Sequence, residues 1–176
     1  IFIGRPQSWD DENSPPQAVD SFSEFSGAYD DMVSLKRILA ADTIQVVRRI
    51  DWVSPEQTTG GLGFTYDMYR HDYSRSNTAV VSGSTSLYLA NYFVLNSDFR
   101  VYICLQNGID PDNPSGRPSL DEPTFTDLEP KAAGTSGDGY IWKYLYTIAP
   151  SDVTKFESTD YMPVPADWST ATDNAA

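Results

Sequence analysis

"GTSGDGYIWKYLYTI", Gly134 to Ile148, is the stretch whose reading decides the fold. A glycine loop running into an aromatic segment could cradle a phosphate, present rings to a sugar, or start a well-packed strand. A phosphate loop ends in Lys-Ser or Lys-Thr and leads into a helix, so that amide N–H groups converge on the anion. Here Gly137-Asp138-Gly139 leads into Tyr140, Ile141 and Trp142, which read as strand, and Asp138 would repel a phosphate. The glycines fit a tight turn that uses their access to positive φ. In the strand, Tyr140, Trp142, Tyr144 and Tyr146 share one face, with Ile141 and Leu145 around Lys143 on the other. An exposed row of this kind could stack on sugars. Because both faces are largely apolar, the pattern favours a central strand whose rings fill a core.

Upstream of this strand the signals are mostly β. Phe99 to Leu105 alternates with a purely apolar odd-numbered face, and it follows Tyr92 to Asn96 across Ser97-Asp98, which predicts a hairpin with a central strand near 99–106. Ile44 to Ile50 is rich in β-branched residues, and Phe64, Tyr66 and Met68 alternate with Thr65 and Asp67. Ile1 to Ile3 reads as the end of a strand. A helix is expected within 21–40, where Ser21 and Glu24 have capping-box spacing and Asp30-Asp31 precede Lys36-Arg37. Two polar, proline-bearing stretches, 7–19 and 107–123, read as exposed loops. Downstream, Pro150 to Phe156 suggests a short helical turn, and "YMPVP" runs extended.

The 176 residues suit one domain, taken as 1–165, with 166–176 as a tail or cut end. Ile1 rather than Met opens the chain, which is expected of a piece of a longer protein or of a processed start. Twelve basic residues against 25 acidic ones give a net charge of −13. Nucleic-acid binding needs a basic stripe to displace counterions, and Lys36-Arg37 and Arg48-Arg49 are only short pairs in an acidic field. No apolar run approaches the ~20 residues that span a bilayer. No partner of either kind, nucleic acid or membrane, is therefore expected. One cysteine, Cys104, rules out an internal disulfide, and with one histidine, His71, a four-ligand zinc site is not expected.

No catalytic constellation stands out. "DPDNPSG", Asp110 to Gly116, hints at a calcium loop, but the EF-hand positions five, six and twelve fall on Pro114, Ser115 and Asp121. A looser calcium site stays open beside a solvated turn. His71 lacks a G-x-S-x-G elbow to serve. The acidic pairs Asp10-Asp11, Asp30-Asp31 and Asp121-Glu122 are what any acidic chain supplies. Cys104 reads as a small packed hydrophobe.

Three groups of residues, in order, carry a resemblance. "SGDGYIWKYLYTI" followed by "DVTKFESTDYMPVP" resembles a segment of the baseplate wedge protein, gene product 8, of T-even-type contractile-tailed phages. "IFIGRPQSWDDENSPP" is similar to that family's opening strand and acidic Pro-Pro loop, and "VVRRIDW", ending in Asp51-Trp52, to another of its strands. The likeness covers most of 1–165 and is weak over 53–90; Arg48 stands where the family has Pro, and the family's proteins are roughly twice as long. The resemblance implies a β-rich α+β fold, a layered antiparallel β-sandwich with helices in long loops, serving as a non-enzymatic virion component without cofactors. It implies a homodimer at the periphery of a tail baseplate wedge, joined to other wedge proteins near the tail-fibre attachment and present in the host cytoplasm during assembly. Gly137, Asp138, Gly139, Tyr140, Trp142, Tyr144, Tyr146, Asp51 and Trp52 are then structural. Trp9 and Asp10 in the first loop, and Asp110, Asp112 and Arg117 in the second, are candidate contacts to partners. The alternative is a carbohydrate- or receptor-binding module of a phage tail, and a third reading is a glycoside hydrolase using paired carboxylates.

Overall fold

The aromatic stretch does form a strand, and its neighbours define the fold. A computed structural model describes residues 2–4, 11, 13–14, 32–68 and 89–166. In chain order the strands are β1 (Phe2–Gly4), β2 (Met32–Leu35), β3 (Gln45–Arg48), β4 (Phe93–Leu95), β5 (Arg100–Asn107), β6 (Tyr140–Thr147) and β7 (Tyr161–Val164). One α-helix, α1 (Pro150–Phe156), lies among the described residues, with single 3-10 turns at Ala40–Asp42 and Pro55–Gln57. The three sheets among the described residues are antiparallel, in the orders β1-β2, β3-β7 and β4-β5-β6. The fold is β-rich α+β. The chain divides into two compact units, Ile1–Thr43 and Ile44–Ala176.

In the first unit Phe2 pairs with Leu35 and Ile3 with Ser34. The helix expected within 21–40 falls, up to residue 31, outside the described residues. From Met32 it is replaced by β2 and then by the 3-10 turn. Two interactions favour that turn over a helix: the Asp42 carboxylate accepts from Leu39 N–H at 3.0 Å and from Lys36 Nζ at 2.9 Å. A short acidic side chain that reaches back to the main chain stabilises a local turn in competition with a continuing helix.

In the second unit the predicted hairpin is present, with Phe93 opposite Ile103 and Leu95 opposite Val101. Its loop is a tight turn in which Phe99 N–H donates to Asn96 O and Phe99 sits at φ 58°, a conformation usually left to glycine. Asn96 stabilises it. Its Oδ1 accepts from Asp98 and Arg100 N–H at 3.0 and 2.8 Å, and its Nδ2 donates to Pro123 O.

The faces of β5 differ from simple alternation. Tyr102 and Cys104, from the even set, are fully buried, whereas Ile103 and Leu105 are only half-buried. The register with β6 shifts twice: Val101 and Tyr102 face Tyr146 and Tyr144, so the extra residue there is Leu145 of β6, whereas Leu105 is the extra residue of β5 between Cys104 and Gln106. β5 is the central strand. β6, expected to be central, is the last strand of its sheet, and its outer edge is met at Trp142, whose N–H and C=O exchange 3.0 Å bonds with Lys131. Residues 64–68 are extended but not a strand: Phe64 is exposed and Tyr66 buried, and the main chain bonds singly to Ser119 and Asn91.

Two apolar clusters follow. Tyr66, Val94, Tyr102, Cys104, Tyr140, Trp142 and Tyr144 form one, with Ile50, Trp52 and Phe125 packed on it. Leu95, Val101, Tyr146, Ile148 and Met162 form the other. An aromatic side chain buries roughly 150–250 Å², worth about 4–6 kcal/mol as an upper bound. The four β6 rings are thus a large share of the apolar surface that this unit buries.

Candidate functional site around the Gly137–Gly139 turn

The glycines of the turn answer to a close approach of two chains. Gly139 lies at φ +86°, and a Cβ there would come within 2.7 Å of Gly108 Cα. A Cβ on Gly108, at φ +70°, would meet Asp138 O at 2.4 Å. The backbones of residues 108 and 138–139 touch because neither glycine has a side chain.

Asp138, between the two turn glycines, is buried and acts as a double acceptor. Its Oδ1 takes Tyr140 N–H at 3.0 Å and its Oδ2 takes Leu120 N–H at 2.9 Å. Two main-chain donors thus compensate the buried carboxylate. It anchors the loop after β5 to the start of β6. Tyr140 adds a second tie, its hydroxyl donating to Arg117 O at 2.6 Å and accepting from Tyr66 N–H at 2.9 Å.

The 107–123 loop is less exposed than its composition suggests. Asn107, Ser119 and Pro123 are buried. Asn107 Nδ2 donates to Tyr66 O at 2.9 Å, and Arg117 N–H returns to Asn107 O at 2.8 Å. Buried polar groups need partners, and the Asn107 side-chain N–H finds one on the neighbouring segment 64–68. Asp110 organises its tip: Oδ1 accepts from Asp112 N–H, Asn113 N–H and Asn113 Nδ2, and Oδ2 from the Arg117 guanidinium. These bonds, first from Asn113 and then from Arg117, lower the Asp110 pKa to about 2. Both oxygens accept from protein donors within the turn. Asp121 is held below its usual range chiefly by Ser136, whose N–H reaches Oδ2 at 2.8 Å.

Asp51 and Trp52 join the site from the other side. The main chain at Asp51 bridges Leu95 in parallel fashion, with Trp52 N–H donating to Leu95 O at 2.8 Å. Trp52 Nε1 donates to buried Ser119 Oγ at 3.0 Å, so the indole ties β4 to the same loop. The Asp51 carboxylate accepts from Arg49 Nε at 2.7 Å, and Arg49 also reaches the buried Glu157 carboxylate at 2.5 Å.

The aromatic row is interior. Tyr140, Trp142, Tyr144 and Tyr146 are exposed by 3% or less, so none of these rings offers a face to a sugar. Tyr140 stacks on Trp142 at 5.3 Å and 15°, and Tyr66 meets Trp142 edge-on at 5.7 Å. The hydroxyls reach outward to main chain: Tyr102 to Phe125 O at 2.6 Å and Tyr146 to Pro163 O at 3.2 Å. Burial pushes the Tyr66 and Tyr146 phenols up to about 12 and raises the Cys104 thiol.

Of the residues singled out from sequence, Gly137, Asp138, Gly139, Tyr140, Trp52, Asp110 and Arg117 come together here. Tyr144 and Tyr146 lie further along β6, and Asp112 is exposed at the loop tip. Trp9, Asp10 and His71 lie outside the described residues. Asp121 and Glu122 bond to different partners, Ser136 N–H and Ser97 N–H, and do not face each other across a cleft. Asn107, Gly108 and Ser119 are not singled out in the sequence, and Tyr66 stands out only as part of the alternating stretch 64–68; the Asn107-Gly108 pair is a turn signal, but nothing local marks Ser119. Beside the turn lies an open groove of about 480 Å³, bounded by Leu62, Asn113, Arg117, Pro118, Leu120 and Gly137. Among the described residues no group of three or more His, Cys, Asp or Glu is arranged to hold a metal ion. Comparison with protein-family models, with curated proteins and with solved structures gives no match.

Proposed function

We propose that this chain is a structural, non-enzymatic subunit of a contractile phage tail baseplate, a peripheral wedge component that joins other wedge proteins near the tail-fibre attachment and self-associates as a homodimer. The layered β-sandwich with helices in long loops belongs to the same reading, as does a place in the virion. One observation carries it. The residues on which the resemblance rests, Asp51-Trp52 and Gly137 to Tyr146, are spent on holding the fold together. Trp52 and Asp138 grip the 107–123 loop, and the β6 rings are buried. That is how a scaffold uses its aromatic residues, and it supports a structural reading of the glycine turn. A sugar-binding module would have to rely on other rings than these.

The test is location. Cross-linking of a purified tail or wedge complex is expected to join this chain to other tail proteins and to a second copy of itself. If it elutes alone and cross-links to no tail protein under assembly conditions, the baseplate reading fails. A glycan array with and without calcium tests the competing module: saturable binding to one glycan, lost on chelation, would replace the baseplate subunit with a sugar-binding one.

A further inference from the structure

Asn107, the last residue of β5, forms a reactive pair with its neighbour. Alone among the asparagines of the chain it precedes a glycine, Gly108. With no Cβ on that glycine, little hinders attack of the Gly108 nitrogen on the Asn107 side-chain carbonyl carbon. The nitrogen gives up its proton and its new bond to Cγ closes a cyclic imide. The Cγ–Nδ2 bond breaks, and Nδ2 leaves as ammonia. Water then opens either carbonyl of the ring, giving aspartate or a β-linked isoaspartate at 107. Water is the only co-reactant.

The folded chain opposes each part of this route. Asn107 and Gly108 are both buried, Asn107 at 0% exposure, which keeps away the water that takes the proton and opens the ring. The carboxamide is clamped as well. Nδ2 donates to Tyr66 O at 2.9 Å, and Gly116 lies so close that a Cβ there would come within 2.5 Å of Nδ2. Oδ1 has no hydrogen-bond partner among the described residues, so no donor is in place to stabilise the oxyanion that attack creates.

The products do not fit the site that the asparagine leaves. A carboxylate in place of the amide offers Tyr66 O only acceptors, inside a fully buried position. The isoaspartyl link also adds a methylene to the main chain beside Gly108. There a Cβ on Gly108 would already meet Asp138 O at 2.4 Å, and one on Gly139 would meet Gly108 Cα at 2.7 Å.

We infer that Asn107 is a modification site gated by the fold. While the 107–123 loop is seated the amide is protected; each opening of the loop exposes it to deamidation, and the deamidated chain cannot seat the loop again. A reversible opening thereby becomes a permanent change. The inference goes beyond the proposed function and does not depend on it.

To test it, the full chain is held at mildly alkaline pH, both native and in unfolding urea, and conversion at residue 107 is followed by peptide mapping with mass spectrometry. In urea Asn107 is expected to convert ahead of the other asparagines, and in the native chain to convert at least about tenfold more slowly. Asp138→Ala, which loosens the loop, and urea below the unfolding midpoint of the parent are each expected to raise the native rate. Chains aged in urea and then diluted should leave their converted fraction out of the refolded pool, whereas chains diluted at once refold. Equal rates in the native and unfolded chain would overturn the inference. So would a native rate indifferent to both Asp138→Ala and mild urea, or converted chains that refold with the rest.

Discussion

Asp138 is where removal of a single side chain should be felt most directly. Asp138→Ala strips the acceptor from two main-chain donors. Tyr140 N–H is buried, so losing its bond costs close to the full penalty for an unsatisfied group, about 2–3 kcal/mol. Leu120 N–H is only part-buried and can turn to water, adding about 1 kcal/mol. The sum, about 3–4 kcal/mol, corresponds to a drop of about 10 °C in unfolding temperature for a unit of this size. Asp138→Asn keeps one acceptor oxygen and turns an amide donor toward the other N–H, so about half the loss or more should remain. Urea unfolding gives the magnitude, and hydrogen exchange at Leu120 and Tyr140 gives the location. An alanine variant within about 0.5 kcal/mol of the parent, with both amides still protected, would refute the view that this carboxylate ties the loop to β6.

The remaining predictions concern the core and the charges. Trp142→Ala should cost about 3–5 kcal/mol in a urea melt, since the ring is fully buried between Tyr140 and Tyr66; a change below about 0.5 kcal/mol would mean an exposed ring. Arg49→Met removes the charged partner of the Glu157 carboxylate and, because Arg49 is itself 27% exposed and water can take its place, should cost about 1–3 kcal/mol, with Arg49→Met/Glu157→Leu recovering much of the loss. Asp110 has its folded pKa lowered from 3.8 to about 2, so its contribution is present above pH 4 and is lost as pH falls toward 2; the stability gap between the parent and Asp110→Asn, followed by urea midpoints across that range, should close. Tyr66 and Tyr146 have folded pKa values raised from 10 to about 12, so the stability they contribute is intact below pH 10 and drains away as pH rises toward 12. Phenolate absorbance should rise together with unfolding, and early titration of either phenol in the folded chain would contradict its burial.

How much could be read in advance divides along physical lines. The hairpin of β4 and β5, the aromatic strand and the short helix at Pro150 are local patterns, set by alternation, turn residues and a leading proline, and these survive without tertiary help. The two register shifts between β5 and β6 depend on how the strands meet, which no local pattern encodes, and the burial of Tyr102 and Cys104 on the even-numbered face was equally beyond a reading of alternation. The edge position of β6 is a fact about sheet order, and apolar residues on both of its faces cannot report it. The 107–123 loop looked exposed because proline, asparagine and aspartate are polar or turn-forming. Its burial rests on donors and acceptors supplied by residues 51–66 and 138–140, far off in sequence. Asp138 was singled out as a turn residue, yet its acceptor role needs Leu120, eighteen positions earlier, to arrive beside it.

The tyrosine hydroxyls that reach from the sheet have a consequence for how this surface can change. Those of Tyr102, Tyr140 and Tyr146 bond to carbonyls at 125, 117 and 163, and Tyr140 also takes the N–H of 66. They grip main chain, and main chain is the same whatever side chain it bears. A substitution at Arg117 alters the charge at the surface while the strut beneath it keeps its acceptor. The loops can therefore change sequence while their course over the sheet stays fixed. Side chains on a surface built this way can be exchanged residue by residue without refolding the framework that presents them.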